Sequence, residues 1–175
     1  LVSLDVTGLS SLSILECGDN RLESLDVPAL TSLTGLYCYS NQLSTLDLAG
    51  LMTLTDLQCG NTPLTSFTTP DGKMLTIQST SGGNIIFGEP NRMYSIGYDL
   101  ATKQVTLTGV PDNGKQLDRW THDSADAGSS NPLVFPLSGD CTVTAAFRDR
   151  GSDENGDGSG SSSSYSDVAI TTPQS

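Results

Sequence analysis

Apolar residues recur along the first part of the chain at a fixed interval of 21 positions, as in Leu1, Leu22, Leu43 and Leu64. A second series runs Leu4, Leu25, Leu46 and Phe67, and a third Leu9, Leu30 and Leu51. Leu12, Leu33 and Leu54 keep the same interval, as do Leu15, Leu36 and Leu57. Three cysteines obey it too: Cys17, Cys38 and Cys59. The polar and small positions between them vary freely. Such a period marks units that each bury one face against the next, so residues 1–68 predict a stack of short coils.

Within each unit the pattern is L-x-x-L-x-C-x-x-N-x-L, over residues 12–22, 33–43 and 54–64, with Thr62 replacing Asn in the third. Leu15 and Cys17 alternate with Glu16, which is the rhythm of a strand with one buried face. Equivalent strands stacked about 4.8 Å apart make a parallel sheet. Asn20 and Asn41 fall at the following turn, where a buried amide can satisfy backbone groups of adjacent coils. A second apolar element, Leu4-Asp5-Val6, Leu25-Asp26-Val27 and Leu46-Asp47-Leu48, predicts short strands or 3₁₀ turns on the far side. Thr62, Pro63 and Phe67 depart from the pattern, as expected at the end of an array. The repeat resembles the leucine-rich-repeat consensus, which implies a solenoid of parallel strands with little helix. The chain enters that repeat in register at Leu1, so residues 1–68 are expected to be the C-terminal coils of a longer array.

From residue 69 the period stops. Strand-like runs at 74–78, 84–87, 93–98, 104–108, 116–120, 133–137 and 142–147 are separated by Gly, Pro, Asn and Asp breakers. Val105-Thr106-Leu107-Thr108, Pro111-Asp112-Asn113-Gly114, Leu117-Asp118-Arg119-Trp120, Asn131-Pro132-Leu133 and Cys141–Phe147 follow one another in an order that resembles the divergent internalin-type B-repeat. That resemblance implies a small β-rich module over residues 69–148. It also implies a secreted or cell-surface bacterial protein. Residues 149–175 are rich in Ser, Gly and acids, the composition of a disordered linker or tail. The expected fold class is therefore mainly β: a solenoid, a β-rich domain and a disordered tail.

Charge narrows the partners. The net charge is −12, and residues 1–68 hold seven acids against Arg21 alone. Nothing in the sequence forms a basic stripe, so nucleic acid is not an expected partner. Apolar runs fall well short of the roughly 20 residues a membrane-spanning helix needs, so no membrane insertion is expected in this segment.

Candidate chemistry is sparse. Cys17, Cys38 and Cys59 could hold a metal, form a disulfide or pack as small hydrophobes. The lack of close C-x-x-C pairs favours packing, and no metal or cofactor is expected. Cys141 has no evident partner. His122 sits beside Asp123 and Ser124, but adjacency in sequence is not a catalytic triad, and residues 121–130 read as a polar loop. Trp120 is expected in the core rather than at a sugar-stacking surface. Asp153–Gly158 matches the opening of a calcium loop, but Ser164 stands at the twelfth position where that loop needs Glu. No residue set points to an enzyme.

What remains is the outward face of the strands: Ile14, Glu16 and Gly18, then Gly35, Tyr37 and Tyr39, then Asp56, Gln58 and Gly60. Tyr37 and Tyr39 flank Cys38 and share that face, where solvent-facing aromatics suit contact with protein or glycan. Glu16, Tyr37, Tyr39, Asp56 and Gln58 are thus the candidate ligand-binding residues. Two roles compete: a recognition module, and a spacer that holds another domain away from the cell.

Overall fold

The computed structural model describes residues 1–92 and 94–151. Among them the chain is mainly β, with three open sheets and no helix. The periodic region supplies β1 (Ile14–Glu16), β2 (Gly35–Tyr37), β3 (Thr45–Asp47), β4 (Asp56–Gln58) and β5 (Ser66–Thr68). β1, β2 and β4 pair in parallel with a register of 21: Leu15 faces Leu36, which faces Leu57. Each apolar side chain therefore meets its own equivalents in the neighbouring coils. Leu22, Leu33, Leu36, Leu43, Leu48 and Leu51 are wholly buried as a result. Full burial of one such side chain contributes about 2 kcal/mol, against at most about 1 for an exposed ion pair, so the leucine stack dominates stability.

The turns repeat as faithfully as the strands. Asp19, Ser40 and Asn61 all adopt left-handed backbone, with φ of 54°, 53° and 57°. Asp and Asn tolerate that region better than most residues. Beside them, the Asn41 amide donates to the carbonyls of Cys17 and Cys38, and its oxygen accepts from the Leu22 N–H. Asn20 donates to Cys17 and Gly18. Thr62 keeps only the contact within its own coil, donating to Cys59. Hydroxyls add a second inter-coil ladder, in which Thr34 donates to the Ser13 carbonyl and Thr55 to the Thr34 carbonyl.

The second apolar element becomes strand only in its last two copies, β3 and β5. From β5 the sheet runs on through a tight turn to β6 (Met74–Ser79), paired antiparallel. The remaining strands are β7 (Gly83–Phe87), β8 (Gln104–Pro111), β9 (Lys115–His122), β10 (Ala125–Gly128), β11 (Leu133–Pro136) and β12 (Cys141–Asp149). The six-stranded sheet has the order β10-β9-β12-β6-β5-β3, and β11-β8-β7 forms a third sheet. Hydrogen bonding thus crosses from coils to β module without a break. Trp120, Val105, Leu107, Val143 and Phe87 fill the space between the sheets, continuous with the leucines. Trp120 is wholly buried, and its indole N–H donates to the Ser130 carbonyl.

Two expectations need correction. The run 93–98 is not a strand in its described part. Tyr94 and Gly97 have positive φ, which breaks extended backbone, and only Tyr98 bridges to Val105. The 121–130 segment is not simply a loop, because β9 extends through His122 and β10 pairs back on it. Asp123 and Ser124 supply the two positive-φ residues that a tight hairpin turn of this hand requires. The Asp153–Gly158 motif, and nearly all of the 149–175 segment, lie outside the described residues.

Candidate binding groove on the strand face

The parallel register sets the outward side chains in rows. Ile14, Gly35 and Asp56 make one row, and Glu16, Tyr37 and Gln58 the next. Gly18, Tyr39 and Gly60 follow along the same coils.

Glycines decide where the tyrosines lie. The Tyr39 ring rests directly on Gly18, since a Cβ there would stand 2.6 Å from the ring. Tyr37 leans the other way, over Gly35, where a Cβ would meet its ring at 3.3 Å. Its hydroxyl reaches across the strand and donates to the Asp56 carboxylate at 2.6 Å. The two rings therefore diverge, with Glu16 and Gln58 on either side of Tyr37.

A third wall comes from the β module. The link between β7 and β8 folds back on the last coil, where Gly60 N–H donates to the Ser95 carbonyl and Cys59 N–H to that of Ile96. Gly60 is buried beneath Ser95, so it is not an outward-facing position. A Cβ at Gly60 would stand 2.7 Å from the Ser95 backbone carbon, so the contact requires glycine. This contact brings Tyr94 against Tyr39, edge to face, with centroids 5.3 Å apart and planes at 76°. Glu16, Gly18, Tyr37, Tyr39, Gln58 and Tyr94 enclose a groove of about 350 Å³.

Electrostatics follow from this geometry. The hydrogen bond to Asp56 holds the Tyr37 phenol above its ordinary range, with the Asp56 and Glu16 charges adding to the effect. Desolvation raises the Tyr39 phenol, helped by Asp19, Tyr94 and Glu16. Glu16 thus acts on both rings. The Gln58 side-chain oxygen is buried without a hydrogen-bond partner among the described residues.

Of the five predicted site residues, Glu16, Tyr37, Tyr39 and Gln58 line the groove, while Asp56 stands behind it as the acceptor for Tyr37. Tyr94 was not foreseen. The only sequence signal was Gly60, where the last coil lacks a side chain in the tyrosine row, a mark of close backbone approach.

Cys17, Cys38 and Cys59 are buried free thiols, and Cys141 is a half-buried one. Burial pushes Cys17 up to about 11 and Cys59 up to about 12, and raises Cys38 as well. His122 packs edge-on against Phe135 at 5.2 Å, and the Asp123 carboxylate accepts from the Thr142 N–H. Among the described residues no group of three or more His, Cys, Asp or Glu is placed to hold a metal ion. No described helix is long and apolar enough to cross a membrane.

Fold and groove together define a class: stacked 21-residue coils with an outward strand face, continued and partly covered by a β module. Residues 73–151 match the family model of the Divergent InlB B-repeat domain. No curated protein matched the chain in sequence. Among solved structures, the chain is similar to the functional domain of InlJ from Listeria monocytogenes, described as including a cysteine ladder. The identity is 17% and the TM-score 0.39, over 82% of this chain and 35% of that one. The chain thus spans about a third of that domain's length.

Proposed function

We propose that this chain is a non-catalytic recognition module of a secreted or surface-attached bacterial protein, binding a protein or glycan partner on the strand face of a leucine-rich-repeat solenoid. The observation that carries this reading is the groove walled by Tyr37, Tyr39 and Tyr94. Tyrosines combine large contact area with few rotatable bonds, so they lose little entropy on binding. The match of residues 73–151 supports the bacterial surface setting. Two glycines hold the tyrosine rings in place, and a glycine contact seats the third wall, so the face is preorganised.

The test is a panel of host-surface proteins and glycans, measured with the chain and with a Tyr37→Ala plus Tyr39→Ala variant. Loss of a ligand in the variant, with an unchanged circular dichroism spectrum, supports the assignment. Unchanged binding of every ligand rejects it. A spacer role draws on a different observation, the unbroken six-stranded sheet that couples coils to β module. It becomes the better reading if no panel member binds at all.

A further inference from the structure

We propose that the groove takes an alkylammonium cation, walled by the Tyr37, Tyr39 and Tyr94 rings and neutralised by Glu16. The inference rests on the strand face being the binding surface and names the chemistry that surface selects.

Three observations carry it. Aromatic faces are electron-rich and attract ammonium groups, most strongly where several rings surround the cation and exclude water. Here the Tyr39 and Tyr94 rings meet nearly perpendicular, and Tyr37 lines the same groove from the other side. That arrangement makes an enclosed corner instead of the open flat ring on which a neutral sugar stacks. Second, the lining holds a carboxylate and no Lys, Arg or His. The whole periodic region contains Arg21 as its single basic side chain, so the local field favours cations. Third, the two nearby carboxylates are in different states. Asp56 is engaged by the Tyr37 hydroxyl, whereas exposed Glu16 has no hydrogen bond or ion pair among the described residues. Glu16 lies in the same row as Tyr37, close enough to act on both Tyr37 and Tyr39. A carboxylate held beside aromatic rings, with no cation of its own, is a counter-charge awaiting one.

The groove has room for a quaternary ammonium head with the carbon chain that carries it, or for the end of a lysine side chain. Both present the same charge to the rings, and the test separates them.

The experiment is an NMR titration of the full chain with three probes: choline, its neutral isostere 3,3-dimethyl-1-butanol, and Nα-acetyl-lysine methylamide. At least one cation is expected to shift the resonances of Glu16, Tyr37, Tyr39 and Tyr94, and to bind at least about tenfold tighter than the neutral isostere. Glu16→Gln should weaken the cation about fivefold, and Tyr94→Ala by a similar factor, with Tyr94→Phe restoring it. Glu16 and Tyr94 are both exposed, so these variants are expected to fold. Choline alone binding assigns a quaternary ammonium; the lysine derivative binding equally well assigns a protonated primary amine of a protein partner. Either result upholds the proposal. Equal binding of the neutral isostere, no binding by either cation, or indifference to Glu16→Gln overturns it. The binding-face reading fails separately, if the double tyrosine variant retains every ligand of the host panel or if no panel member binds.

Discussion

Asn41 donates its side-chain amide to the carbonyl of Cys17, 24 residues earlier in the chain, at 2.9 Å. With its bonds to Cys38 and Leu22, one side chain serves backbone groups of two coils and is itself buried. Removing it strands the buried Leu22 N–H and Cys38 carbonyl, each costing about 1–3 kcal/mol when left unpaired, while the Cys17 carbonyl keeps its bond from Asn20. Asn41→Ala is therefore expected to destabilise the chain by about 3 kcal/mol or more. Asn20→Ala, at a half-buried position, should cost about 1 kcal/mol. Urea unfolding midpoints of the two variants, at constant m, check the order.

The joint between coils and β module makes its own prediction. Gly60→Ala drives a methyl into the Ser95 backbone, which cannot rotate away, whereas Gly18→Ala meets only the ring of Tyr39. Gly60→Ala should therefore unseat the segment around Tyr94 and cost about 2 kcal/mol. Gly18→Ala should leave stability within about 1 kcal/mol while turning Tyr39 out of the groove. Thermal unfolding distinguishes the two, and the Tyr39 ring resonances report the displacement directly.

How much of this was legible depends on where each feature is encoded. The coils, their register and the place of Asn41 follow from side chains repeated every 21 residues, because each must meet its own copy in the next coil, and that register sets the variable positions Glu16, Tyr37 and Gln58 in one row. The third wall of the groove has no such record. Its seat depends on backbone carbonyls of Ser95 and Ile96, which any residue can offer, so the contact leaves almost no trace in sequence. The run 93–98 reads as a strand because its residues have strand propensity, yet the positive φ values at Tyr94 and Gly97 and the contact with Gly60 prevail. In the same way the His122–Ala125 hairpin hides behind Asp123 and Ser124, whose left-handed backbone is allowed but not announced by residue type.

Thiol chemistry separates the four cysteines. Cys38 and Cys59 are fully buried and Cys17 nearly so, and desolvation keeps all three protonated well above neutral pH. Since the thiolate is the reactive form, these three should resist alkylation in the native state at pH 8. Half-buried Cys141, raised less by its surroundings, should react first. Iodoacetamide labelling followed by peptide mass analysis is expected to find Cys141 modified alone, with the other three appearing only on addition of denaturant. Labelling of Cys38 ahead of Cys141 would contradict the stacked arrangement of the coils.

The bond between Tyr37 and Asp56 carries a pH signature. Because the hydrogen bond favours the neutral phenol, the folded-state value lies above the unfolded one. The stability it contributes is then fully present below about pH 10, the ordinary tyrosine range, and is lost as pH rises through the higher folded-state value. Tyr37→Phe removes both the bond and the titration. The variant should be slightly less stable than the parent at pH 8, and only slightly because the pair is exposed. That difference should shrink as the pH passes the folded-state value. Following phenolate absorbance through the alkaline titration adds a second readout, since Tyr37→Phe should delete a late-ionising tyrosine while leaving the early ones unchanged. Loss of an early-ionising tyrosine instead would mean that the phenol is not held by Asp56 in solution, and the orientation of the groove wall would fall with it.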